Sequence, residues 1–144
     1  MSEPLITVDT LVDADPAAVW ETRTQKKSAM FMGADVETDW QPGSPIRFSG
    51  EFHGKAFEDT GEIRSVEPLR RLAFTHFSGG RTENGNLVDI RLEPRGERTE
   101  LTLSQTPLGS PPTDHATVAE FRNNWQMMLD ALRNAAEQRS SAAA

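Results

Sequence analysis

His76 is the titratable side chain best placed for chemistry in this chain. From Arg71 to Phe77 the sequence alternates as a strand does, and one phase carries Leu72, Phe74 and His76 together. Pointed inward, the imidazole would hydrogen-bond a ligand or serve as an acid or base. The plainer alternative is a core or rim histidine satisfied by the protein, since the sequence shows no partner for it. Gln105 shares a phase with Leu101 and Leu103 and reads either as a ligand-binding amide or as a strand-end surface residue. His53 falls in a hairpin turn and His115 at a helix start, so both are expected in solvent. Glu58, Asp59 and Glu62 lie close in sequence, but strand alternation splits them between two faces, and a solvated edge accounts for them. No catalytic residue is assigned; His76 is the candidate.

Other chemistries lack their residues. There is no cysteine, hence no disulfide, no thiolate zinc site and no thiol nucleophile. The three histidines are not spaced as a metal motif, and neither metal nor cofactor is expected. Gly50-Glu51-Phe52-His53-Gly54-Lys55-Ala56 has one residue too few for a phosphate-binding loop, lacks its final Ser/Thr, and sits on a hairpin. No Gly-x-Ser-x-Gly elbow occurs. With 22 acidic against 15 basic residues the net charge is -7, which disfavours nucleic acid and anionic membrane as main partners. Aromatic and basic residues are not interleaved as a nucleic-acid platform would need. No apolar run reaches membrane-spanning length and the N-terminus lacks a signal-peptide core, so a cytoplasmic protein is expected.

The elements that must position His76 and Gln105 follow from periodicity. Leu5 to Val12 reads as a strand with Ile6, Val8 and Val12 on its buried side. Asp15 and Pro16 open a short helix through Trp20, and a second short helix is expected from Gln25 to Phe31. Strands follow at Val36–Trp40, Ile46–Phe52, Phe57–Val66 (with a bulge or bend at Gly61), Arg71–Phe77, Val88–Leu92 and Thr99–Gln105. Val118, Phe121, Trp125, Met128, Leu129, Leu132 and Ala136 then recur at steps of three and four. They predict a helix from an N-cap at Thr113 to about Gln138, roughly 37 Å long, with one apolar stripe. A strand-rich middle and one long terminal helix give an α+β fold in which the helix lies across one sheet face. The other face, with Arg47, Glu51, Arg91, Glu93, Thr102 and Ser104, is expected to be wet. Residues 1–139 are expected as a single domain and 140–144 as a disordered tail.

Asp15-Pro16-Ala17-Ala18-Val19-Trp20, the turn and strand Asp39-Trp40-Gln41-Pro42-Gly43-Ser44-Pro45-Ile46-Arg47-Phe48, the hairpin Gly61-Glu62-Ile63-Arg64-Ser65-Val66-Glu67-Pro68 with Arg71-Leu72-Ala73-Phe74-Thr75, and the helix with Trp125, Met128, Leu129 and Leu132 resemble one family in this order. It is the family similar to the C-terminal domain of the activator of the 90-kDa heat-shock-protein ATPase, in the START-like helix-grip (SRPBCC) superfamily. The resemblance spans about residues 5–137. It implies a curved antiparallel sheet of about seven strands wrapped around a long C-terminal helix, two short helices after the first strand, and a cavity between sheet and helix.

On that fold the alternation nominates Phe31, Trp40, Phe48, Phe52, Phe74, His76, Ile90, Leu103, Gln105, Phe121, Trp125 and Met128 as cavity residues; the alternative is that these side chains simply fill a core. The expected function is a module that binds a small hydrophobic or aromatic molecule. Two alternatives stand beside it: a cyclase- or hydrolase-like enzyme using His76, and a chaperone-cofactor interaction module, the latter disfavoured because the namesake's additional N-terminal domain is missing here. A monomer or weak homodimer is expected, with a sheet edge or an exposed apolar patch as the alternative routes to self-association.

Overall fold

Alternation of Ile6, Val8 and Val12 with outward Thr7, Asp9 and Leu11 builds β1 (Ile6–Val12). Asp15 then caps α1 (Pro16–Arg23), its Oδ1 accepting from Ala18 N at 2.9 Å. The chain continues through β2 (Lys27–Ser28), β3 (Ala34–Glu37), β4 (Pro45–Phe52), β5 (Lys55–Glu67), β6 (Arg71–His76), β7 (Asn86–Arg95) and β8 (Arg98–Pro107), and ends in α2 (His115–Ala143). The computed structural model describes residues 4–23, 27–28, 34–52, 54–77, 85–109 and 114–143, with backbone alone at 22, 23, 27, 28, 34, 52 and 139–143.

All strands join one antiparallel sheet in the order β1-β8-β7-β6-β5-β4-β3-β2, curved around α2 as in a helix-grip fold. Glycine places two of its corners. Pro42-Gly43 makes the turn into β4, with Gly43 at φ 89° and Ser44 N donating to Gln41 O at 3.0 Å. Gly61 admits a close approach of β6: a Cβ there would lie 1.7 Å from the Thr75 carbonyl oxygen. The expected bulge falls three residues further on, where Ile63 pairs with Phe74 and Ser65 with Ala73, so that Arg64 is the extra residue.

The stripe on α2 faces inward as its spacing predicts: Trp125, Leu129, Leu132 and Ala136 are buried, and Val118, Phe121 and Met128 pack half-buried against the same core. The helix lies against β1 and α1. Its polar flank also satisfies the edge strand: Arg122 Nη1 donates to Thr7 O (3.1 Å) and Gln126 Nε2 to Asp9 O (3.2 Å). The β1 edge is thereby blunted as a surface for strand addition. On the far side of the sheet Arg47, Glu51, Arg91 and Glu93 are exposed, and Thr102 and Ser104 half-buried.

Three expectations need correction. Lys27 and Ser28, placed in a second short helix over Gln25–Phe31, form β2 and pair with Asp35 and Ala34; strand pairing overrides the local helix propensity of that stretch. The cap of α2 is Asp114, whose Oδ2 accepts from Thr117 N (2.9 Å) and Thr117 Oγ1 (2.6 Å). The helix also runs on to Ala143, into the stretch expected as a tail, because Ser140-Ser141-Ala142-Ala143 contains no stop signal and ends in the best helix former. No helix among the described residues is long and apolar enough to cross a membrane.

Candidate functional site

His76 ends β6 on the sheet face that α2 covers. Four elements frame its ring. Phe48 from β4 stands with its ring centroid 5.6 Å away at 65°, and Trp125 from α2 at 6.5 Å and 80°. Phe74, two residues back on β6, lies with its ring centroid 5.6 Å from that of Phe48, tilted by 43°. From β5, Asp59 places Oδ2 2.9 Å from His76 Nε2, with only 12% of the histidine and 17% of the aspartate side chain exposed.

Register explains the meeting. On β5 the residues Phe57, Asp59, Gly61 and Ile63 share one phase, and that phase points inward: Asp59 lies opposite Phe48, and Ile63, fully buried, lies opposite Phe74. The Thr60–Phe77 bridge extends the β5–β6 pairing to the end of the strand, which sets Asp59 diagonal to His76. Glu58 and Glu62 occupy the other phase and are exposed. The expectation that a solvated edge accounts for all three carboxylates therefore fails for Asp59, the partner the sequence left unidentified. An ionised carboxylate only accepts, so the His76 hydrogen lies on Nε2 and is donated to Asp59. A carboxylate that fixes one imidazole nitrogen is the arrangement that orients a histidine for proton transfer or ligand binding.

Gln105 is on the same face, on β8. It pairs with Val88, which pairs with Phe74 across β7, and with Ile6 on the other side. It is not a surface residue: 2% of it is exposed, and its Oε1 is buried without a hydrogen-bond partner.

The other nominated residues distribute unevenly. Ile90 and Leu103 are fully buried in the row Leu72–Ile90–Leu103–Val8, one step further from His76, where they fill the core. Phe121 and Met128 flank Trp125 on α2, half-buried against that core. Trp40 precedes β4 with φ 59°, at the end of that strand away from Phe52, and packs half-buried on the core. The side chain of Phe52 and the whole of Phe31 lie outside the described residues.

Two concavities lined by described residues lie elsewhere. One of about 470 Å³ runs along the solvent side of α2, past Asn123, Met127 and Asn134. The other, about 680 Å³, lies where the β5–β6 turn meets β7, at Leu69, Arg70, Arg71 and Arg91. There the Arg71 guanidinium is engaged by Asp89 at 2.7 Å, and that hydrogen bond raises its already high pKa. Neither concavity touches His76, Asp59, Gln105 or Trp125. Among the described residues no group of three or more histidine or carboxylate side chains is arranged to hold a metal.

Residues 13–137 match the family described as Activator of Hsp90 ATPase homolog 1-like protein. Among solved structures, that of ChR145 from Cytophaga hutchinsonii is 30% identical, with a TM-score of 0.74 over 94% of both chains. The ZhuI aromatase/cyclase from Streptomyces sp. R1128 is 19% identical, with a TM-score of 0.72 over 96% of each chain. Ara h 8.0201 is 13% identical, with a TM-score of 0.72 over 92% of this chain and 97% of its own. The last two likenesses are of fold. No curated protein matches the sequence.

Proposed function

This chain belongs to the family of Activator of Hsp90 ATPase homolog 1-like proteins, and we propose that it is a binding module that takes a small hydrophobic or aromatic molecule between the curved sheet and α2. The observation that carries this reading is the placement of an Asp59–His76 pair and an unpartnered Gln105 amide oxygen on the face that α2 covers. A wall that is mostly apolar with a few convergent polar groups is the composition of a small-molecule site. Phe48, Phe74 and Trp125 supply the apolar part around His76.

A second reading, acid–base catalysis, is favoured by one specific observation: the 2.9 Å contact that holds His76 through Nε2. In that reading Asp59 positions the ring and His76 moves a proton on the bound molecule.

Thermal-shift assays with fatty acids, flavonoids and polyketide-like aromatics test the binding reading. A ligand at a hundred times its Kd adds about 2.7 kcal/mol of stability and raises the melting temperature visibly. A panel that leaves the melting temperature unchanged throughout would overturn it. Turnover of any bound ligand that stops in His76→Ala, with binding retained, would favour the enzyme.

A further inference from the structure

Nothing in the packing calls for an amide at position 105. Its same-face ladder neighbours, Val88 and Ile6, are apolar and buried, and Phe74 completes the row. The backbone carbonyl of Gln105 is already used, accepting from Leu5 N at 2.8 Å. A methionine would fill a similar volume without burying a polar atom. A carbonyl oxygen withdrawn from water without replacement is destabilising, and a buried polar group of this kind calls for a functional account.

The charge around it narrows what would use that oxygen. On the same face, two strands across from Gln105 and one two-residue step along, the Nε2 hydrogen of His76 is donated to Asp59 of β5, whose carboxylate is itself mostly buried. Gln105 Oε1 thus presents an acceptor oxygen to the interior, and the Asp59 carboxylate on the same face is already engaged by His76. A ligand carboxylate would meet repulsion there; a neutral hydroxyl would meet a partner. The rings of Phe48, Phe74 and Trp125 suit a flat apolar body.

Resting on the binding reading above, we propose that Gln105 is a specificity-determining residue that accepts a hydrogen bond from the hydroxyl of a neutral hydroxylated aromatic ligand. Hydrocarbons of the same shape and anionic acids are the molecules it discriminates against. The amide oxygen, unpartnered in the protein alone, gains its donor on binding, so the preference arises from that one contact.

Four probes with one body test this: 2-naphthol, 2-methoxynaphthalene, naphthalene and 2-naphthoate, titrated calorimetrically into the full chain. The expected result is 2-naphthol binding about tenfold more tightly than its methyl ether or naphthalene, with 2-naphthoate weakest. In Gln105→Met the advantage of 2-naphthol over its ether should vanish while the melting temperature is kept or raised. Equal affinity for 2-naphthol and its ether in the wild-type chain overturns the proposal, and this comparison decides even where the variant fails to fold. A preference that survives in Gln105→Met also overturns it. If the naphthalenes fail and a fatty acid binds, this inference falls and the binding reading stands; if nothing binds, both fall.

Discussion

Asp59 and His76, separated by seventeen residues, meet at 2.9 Å through Oδ2 and Nε2 on the inner face of the sheet. The contact spans the β5–β6 ladder diagonally and lies under Trp125 of the helix. With Gln105 it supplies polar groups to a mostly apolar surface, and it can be probed from either partner.

Replacing the carboxylate while keeping its shape removes the charge and leaves a group that can either accept from or donate to Nε2. Asp59→Asn should cost about 1.5–3 kcal/mol in urea unfolding, the range for a hydrogen bond to a charged group. It should also release the tautomer preference of the ring. In ¹⁵N spectra of the neutral imidazole, the hydrogen should sit on Nε2 in the wild-type chain and redistribute in the variant. An unchanged tautomer would show that Asp59 does not orient His76.

Gly61 should tolerate no side chain. A Cβ would stand 1.7 Å from Thr75 O and 2.7 Å from its carbonyl carbon, both backbone atoms that cannot swing away. Gly61→Ala should therefore part β5 from β6 beside His76 and cost about 3 kcal/mol. Gly54→Ala is the control: with φ 78° and no atom within 4 Å, it should cost only about 1–2 kcal/mol of backbone strain. Denaturation midpoints of the two variants check the difference.

Thr99 ties the start of β8 to the chain before α1. Its fully buried hydroxyl donates to Ala14 O at 2.8 Å. Thr99→Val keeps the shape and orphans that carbonyl, so a loss of about 1–3 kcal/mol is expected, with the denaturant slope unchanged.

The helix cap gives a pH dependence of known sign. Hydrogen bonds from the Thr117 hydroxyl and then its backbone N–H hold the Asp114 carboxyl below its ordinary range. A depressed carboxylate stabilises the fold fully above its unfolded value and loses that contribution as pH falls through the lower, folded value. Protection of the Thr117 amide against hydrogen exchange, corrected for intrinsic rates, should decline below about pH 4. Asp114→Asn should flatten that dependence.

The inward stripe of α2 is legible because Trp125, Leu129, Leu132 and Ala136 repeat at helical spacing, and the buried phases of β4, β7 and β8 because Phe48, Ile90 and Leu103 alternate with polar residues. The family could likewise be recognised from residue order. The inward phase of Asp59 is present in the sequence: it shares parity with Phe57 and Ile63, whereas Glu58 and Glu62 share the other phase. What alternation alone cannot supply is which strand lies alongside and at what offset, and the meeting with His76 depends on both. Gln105 was readable as inward by parity with Leu103, but its missing partner is a property of its neighbours on β1 and β7. The helical reading of Lys27–Ser28 fails because a two-residue strand is held by its pairing with β3 and has no period of its own.

Side-chain NMR during a titration with 2-naphthol tests most directly whether a ligand enters between sheet and helix. The Trp125 indole N–H and the Gln105 side-chain amide should shift saturably and together, while the methyl of Met127, exposed on the outer side of α2, stays still. Shifts confined to Met127 and its outer-face neighbours, or Trp125 and Gln105 signals that never move, would contradict it.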